Sequence, residues 1–343
     1  MGEIDFGEIQ QVLDDLLGQN VDFQQMARQG AAGNSPVSFQ KLLNMAGNLF
    51  FQELLEQKEL WIHILILAIA AAVLLHFAEI FQNKGVSRIS FCMIYMMLFL
   101  LLITSFRGSM EIAAGVLESM RNFMTVLAPA YFLAMTMTAY ISSAGIYYEF
   151  TLFLISGVQW LTKVFLLPCI EIYILLVLVN HLSGEKRLGR LAELISMLVG
   201  WSLKAVLAAV CGFHMVQGLI SPAADAFRAM SVSRGIEVIP GVGDAGSSAT
   251  DLVLGSAMLI KNGIGAAALV VLMLLCMVPL IKLAVIMLVY YVLAAILQPV
   301  SDERITECLM GVGNGVKLLF QAVFTVLALF LLTIALTTAV TES

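Results

Sequence analysis

Apolar residues fall along this chain in long uninterrupted blocks separated by short polar stretches. The blocks cover roughly residues 60–81, 89–106, 123–143, 147–166, 167–181, 191–212, 264–281, 283–298 and 316–339. Most approach the roughly 20 residues that a helix needs to cross a bilayer. None alternates apolar with polar at period two, so lipid-spanning strands are not indicated. The pattern predicts an all-α, polytopic membrane protein with about 7–9 transmembrane helices. Prolines punctuate it. Pro168 and Pro279 divide apolar runs of roughly 30 residues, too long for one untilted crossing. With Pro129 they are the expected helix breaks, because proline removes an internal hydrogen bond and crowds the preceding turn.

Residues 1–59 differ from the rest. Ile9, Val12, Leu13, Leu16 and Leu17 share one helical face, and GEIQQVLDDLLG reads as a short amphipathic helix. A linker rich in Gly, Asn and Gln follows. A second amphipathic helix carries Leu42, Leu43, Ala46, Leu49, Phe50, Leu54 and Leu55 on its apolar side. The expected division is an acidic, amphipathic-helical extramembrane region over 1–59 and a polytopic membrane domain over 60–343. The first region is expected to rest on the membrane or on the rest of the chain, or to dock a partner.

Composition agrees with this pattern. The chain is 60% hydrophobic and only 12% charged, against about 25% charged in soluble domains. Nine acids and three bases lie in residues 1–59, whereas the remainder holds 15 of each. Nothing here suggests nucleic-acid binding. The five cysteines form no CxxC pair and the four histidines are scattered, so neither a metal site nor any other cofactor is expected. No charged segment leading into a short apolar core opens the chain, so no signal peptide is visible. Lys84 and Arg88, and then Lys186, Arg187 and Arg190, mark two loops expected to face the cytoplasm. By span counting, the N-terminal region, the 213–263 loop and the acidic 301–307 loop fall outside, and the C-terminus inside.

Landmarks recur along the chain. Pro129 and Pro168 have the same separation as Pro240 and Pro279. LLPCIEIYILLVLV (166–179) aligns with MVPLIKLAVIMLVY (277–290). Gly200 with Lys204 matches Gly313 with Lys317. These spacings predict two repeats, about 123–212 and 234–339. A basic loop in one corresponds to an acidic loop in the other, so the copies are expected to be inverted, as in many transporters. Glu171 and Lys282 then become equivalent positions of opposite charge. An ion buried at membrane depth is costly and needs a partner, so they are expected to form an intramembrane pair.

Two motifs suggest chemistry and then fail. GVGD at 241–244 has the pattern of intramembrane aspartyl proteases. Those enzymes need a second aspartate on a neighbouring span, and none of the apolar blocks contains one. GVGNGVK at 311–317 lacks the GK[ST] ending and preceding strand of a phosphate loop. Its glycines suit close helix packing, as do Gly108, Gly115, Gly255, Gly263 and Gly265. No catalytic residue is assigned and no enzyme activity is expected.

The remaining polar segment is IEVIPGVGDAGSSATDLVLGSAMLIKNGIG, residues 236–265. Its IPGVGDA (239–245), the Asp251-x-x-Leu-Gly255 step and LIKNGIG (259–265) closely resemble the signature of the stage III sporulation protein AE family of endospore-forming bacteria. The likeness covers nearly the whole chain, although family members usually begin with a cleavable signal sequence. It implies a multi-pass component encoded in the stage III A sporulation operon and seated in the mother-cell membrane around the forespore. With its operon partners and a forespore membrane protein, such a chain would form a secretion-like channel, or feeding apparatus, supporting late forespore gene expression. The lipid bilayer is its other partner, and a homo-oligomer remains open. A stand-alone secondary transporter and a passive scaffold anchoring a partner ring are the alternatives. Pro240, Gly241, Gly243, Asp244, Asp251, Gly255, Lys261 and Asn262 are the expected cavity-lining residues, on irregular backbone shielded from lipid.

Overall fold

A computed structural model describes residues 7–17, 22–32, 39–56, 58, 61–66, 69–70, 73, 84–137, 141–182, 188–236, 243–299 and 301–339. Three helices come first: α1 (Gly7–Leu17), α2 (Phe23–Ala31) and α3 (Phe39–Glu56). Then follow α4 (Lys84–Thr136), α5 (Ile141–Trp160), a π-helical turn (Leu161–Leu166) running directly into α6 (Leu167–Leu182), α7 (Gly189–Ile236), α8 (Gly243–Leu297) and α9 (Glu303–Ala339). Among the described residues there is no strand.

Helix starts follow local chemistry. The Asp22 carboxylate accepts from the Gln25 N–H at 3.0 Å and opens α2. Asp302 does the same for α9, accepting from the Arg304 N–H at 2.8 Å. The Asn180 side chain accepts from the Leu188 N–H at 2.9 Å and ties α6 to the start of α7.

Five helical stretches among the described residues are long and apolar enough to cross a membrane: Met93–Thr136, Tyr148–Asn180, Gly189–Val216, Met258–Leu297 and Glu303–Thr338. The expected span 60–81 lies largely outside the described residues, and these five do not by themselves reach the expected 7–9. The expected spans 89–106 and 123–143 largely share α4, 147–166 and 167–181 form the α5–α6 run, and 264–281 and 283–298 share α8. In α4 the helix continues through the polar stretch 107–122 that separated the two expected spans; the other two mergers occur at prolines. Pro129 lies inside α4 and Pro279 inside α8, and neither helix ends there. Near Pro168 the chain stays helical by widening into the π turn, where the Thr162 hydroxyl donates to the Val158 carbonyl at 2.7 Å. Local π geometry and Ser/Thr side chains absorb the groups that proline leaves unpaired.

The five stretches alternate in direction. At one end the Tyr95 hydroxyl donates to the Leu178 carbonyl at 2.7 Å and meets the Cys308 thiol at 2.8 Å. At the other end the Tyr131 hydroxyl meets that of Thr338 at 2.9 Å, and His214 Nε2 lies 3.3 Å from the Thr333 hydroxyl. The ring of Phe150 stacks on Phe213 there at 3.9 Å. The α5–α6 run and α8 therefore point the same way, and α7 and α9 both point back. The segments matched in sequence run in the same direction, not in the opposite directions expected of inverted copies. Because each proline-bearing run crosses once, the α6–α7 and α8–α9 connections share an end. The 301–307 segment thus lies at the same end as the 182–189 connection, and the C-terminus at the opposite end.

Helix α9 is central and packs against α4, α6, α7 and α8. Val312, Val316, Leu319, Ala322, Val323 and Phe330 are fully buried along it. Glycines set the spacing here as expected. A side chain at Gly311 would collide with Val177, and one at Gly315 with Ile174 and Phe106. Gly313 faces Tyr290 and Tyr291. By contrast, Gly108, Gly115 and Gly255 have open space beside them.

Candidate functional site

The signature begins at the head of α8. Pro240 and Gly241 lie outside the described residues. From Gly243 the backbone is helical, so the described part of the 240–263 segment forms the first turns of α8 where irregular backbone was expected. Asp244 and Asp251 sit on that helix. Gly255 is exposed, Asn262 is half-buried and Lys261 is fully buried.

Lys261 Nζ donates to the carbonyl oxygen of Thr338 at 3.0 Å. That carbonyl belongs to the last turn of α9, where acceptors lack helical donors. A cation there satisfies the acceptor and the helix dipole together. Gly263 faces the Ala27 carbonyl and the Ala31 side chain of α2, and Gly265 faces the Thr338 side chain. The KNGIG run thus joins α2, α8 and α9. Gly30 of α2 completes the fit against Gly263 and Ala266.

Lys282 lies farther along α8. Its ammonium stands 3.4 Å from the carboxylate of Glu53, which is nearly buried on α3. Glu171 is exposed on α6. The expected Glu171–Lys282 pair is therefore corrected: α3 lies against α8 and brings the carboxylate that Lys282 meets. A hydrophobic pattern alone does not reveal that an N-terminal helix docks there.

Two further polar groupings occur at the depth of the apolar stretches. Glu118 of α4 lies 3.4 Å from both Arg121 and Lys163, the latter carried by the π turn. Arg121 also reaches the Gln159 side chain at 3.5 Å. The second is an open groove of about 650 Å³ between α6, α7 and α9, lined by Glu193, Lys204, Asn314, Lys317 and Gln321 among apolar and aromatic neighbours. The Tyr291 hydroxyl donates to Asn314 at 2.7 Å. Lys204 and Lys317 were visible in the sequence only as repeat-matched positions after Gly200 and Gly313. The parallel course of α7 and α9 brings both to one groove.

Among the described residues no three His, Cys, Asp or Glu side chains gather where a metal could be held. Cys169, Cys211, Cys276 and Cys308 are free thiols, the last two buried.

Comparison with known proteins was made against this geometry. The family described as stage III sporulation protein AE matches residues 21–341. Stage III sporulation protein AE of Bacillus subtilis (strain 168) is 26% identical over 304 residues, covering 88% of this chain and 76% of the relative. No solved structure matches. The family is one of sporulation membrane proteins rather than a known enzyme family, and membership supports a role in sporulation. The chain belongs to the stage III sporulation protein AE family.

Proposed function

We propose that this chain is the membrane-spanning part of a secretion-like channel, or feeding apparatus, between mother cell and forespore. It acts with other proteins of its operon and a membrane partner from the forespore, and it supports late forespore gene expression. The observation that carries this reading is the groove between α6, α7 and α9. It holds Glu193, Lys204 and Lys317 on helices apolar enough to span a bilayer. Ionic groups at that depth are retained where water or a partner meets them. Their presence favours a conducting role over a passive scaffold.

The bilayer is the mother-cell membrane around the forespore. The end at which α4 and α7 begin faces the mother-cell cytoplasm by the positive-inside rule, since Lys84, Arg88, Lys186, Arg187 and Arg190 cluster in the sequence around those two starts. The opposite end, where α2 meets α8 and where the signature residues Gly243, Asp244, Asp251, Gly255, Lys261 and Asn262 lie on the first part of α8, faces the space between the membranes, where a partner is met. Residues 60–343 form the membrane domain, with 1–59 docked against it.

Reconstitution tests this reading. The purified chain in liposomes, with and without its operon partners, is assayed for passage of a small fluorescent dye. Flux only in the presence of partners supports the channel. Flux by the chain alone supports a secondary transporter. Assembly without flux in any combination supports the scaffold and overturns the proposal.

A further inference from the structure

Helix α4 has two unlike faces. Leu102, Phe106, Ala113, Val116, Leu117, Met120, Phe123, Met124 and Leu127 are buried against the bundle. On the other side lie Thr104, Gly108, Glu111, Gly115, Glu118, Asn122 and Thr125, spaced alternately four and three residues apart. All are exposed except Asn122, which is half-buried. Arg107, also exposed, and Arg121, half-buried, flank this row. No apolar side chain interrupts it.

Its polarity runs opposite to that of a lipid-facing helix. Such a helix is apolar in the middle and polar at its ends. On this face of α4 the exposed apolar residues are at the ends, Met93, Met96, Met97 and Leu100 before the row and Leu133 after it. From Thr104 to Thr125 the row is about 32 Å long at 1.5 Å per residue, about the thickness of the hydrocarbon layer. Alternating steps of four and three give the 3.5-residue repeat of a seam facing a neighbouring helix. Among the described residues nothing lies within 4 Å of a side chain added at Gly108 or Gly115. Lys163 and Gln159 reach the seam only at its Glu118–Arg121 level, so the described part of the chain leaves the rest of it uncovered.

The charges indicate what covers it. Arg107 and Glu111 lie one turn apart, as do Glu118 and Arg121. When identical helices stand parallel about a common axis, each arginine meets a neighbour's glutamate at two heights. The seam is therefore complementary to a second copy of itself, with threonine, asparagine and glycine between the charged levels.

We propose that copies of this chain associate through the α4 seam and that these α4 faces line the water-filled pathway, which then runs between chains. This deepens the channel reading and rests on it.

Single cysteines placed from Thr104 to Thr125 in a cysteine-free full-length chain, assembled with its partners in membranes, test the inference in two ways. Oxidative cross-linking of Gly108→Cys and Gly115→Cys should give a ladder of dimers and higher multimers. A charged, water-soluble thiol reagent should reduce KCl conductance across planar bilayers several-fold at the seam positions. It should leave conductance unchanged at Phe106, Ala113, Leu117 and Met120. Absence of the ladder overturns the inference, whether or not the cysteines react. So does a ladder without block in a conducting complex. If the parent complex does not conduct, the channel reading fails, and with it the pore-lining half of the inference. The ladder still decides whether the copies meet at this seam. Both glycine variants should unfold at no lower temperature than the parent, because among the described residues neither side chain meets a neighbour and a helix interior favours other residues over glycine.

Discussion

The ammonium of Lys261, wholly buried, donates to the carbonyl oxygen of Thr338 at 3.0 Å and closes the C-terminal turn of α9. A lysine from the family signature thus holds the end of the most central helix. Lys261→Met should lower stability by about 1–3 kcal/mol, the cost of leaving a buried acceptor without its donor. Amide hydrogen exchange over 334–339 should accelerate in the variant. Unchanged exchange there would mean that the bond contributes nothing to the last turn.

Gly263 is where α2 reaches α8. Gly263→Leu drives a side chain into the Ala27 carbonyl and Ala31. The expected cost is about 1–3 kcal/mol, typical of overpacking. Gly115→Ala, in open space, should change stability by less than about 0.5 kcal/mol. Thermal unfolding in detergent compares the two, and equal losses would refute the close approach of α2.

Glu53 and Lys282 should behave as a coupled pair. Glu53→Lys and Lys282→Glu should each destabilise the chain, and the double swap should recover much of the loss. A coupling of about 0.5–3 kcal/mol is expected for side chains in contact. The same cycle between Glu171 and Lys282 should show none. Coupling to Glu171 instead of Glu53 would displace α3 from α8.

Tyr95 joins three helices through the Leu178 carbonyl and the Cys308 thiol. Tyr95→Phe removes the hydroxyl and leaves the Leu178 carbonyl with only its helical donor, at a cost of about 0.5–1.5 kcal/mol, the net worth of a typical hydrogen bond. Cys308 should then react several-fold faster with a thiol reagent. A rate equal to the parent's would show that the hydroxyl does not shield this end of the bundle.

Much of the fold was legible in the hydrophobic pattern. The apolar blocks correspond to helices, and the GVGNGVK glycines pack closely, as small residues in an apolar run should. What the pattern hid was continuity. Proline scored as a stop because in water its unpaired groups favour leaving the helix, whereas Pro129 and Pro279 remain inside theirs. Two of the merged pairs of spans, at Pro168 and Pro279, follow from that, whereas α4 merges because its polar stretch 107–122 stays helical; the common direction of the matched segments follows from these mergers. The partner of Lys282 was hidden for a different reason. Glu53 lies more than two hundred residues away on α3, a helix whose docking against α8 no spacing in the sequence marks. The groove lysines were half-visible, matched by repeat spacing but joined only by the parallel paths of α7 and α9.

That parallel arrangement has a consequence for the direction of traffic. Inverted halves give a molecule two interchangeable faces, and one can adopt the shape the other has left. Segments that run the same way offer no such exchange. Here one face bears the basic turns and the other the junction of α2, α8 and α9, and no symmetry operation maps one onto the other. A conduit built from such a chain has a fixed front and back, so whatever crosses it meets a different chemistry on entry than on exit.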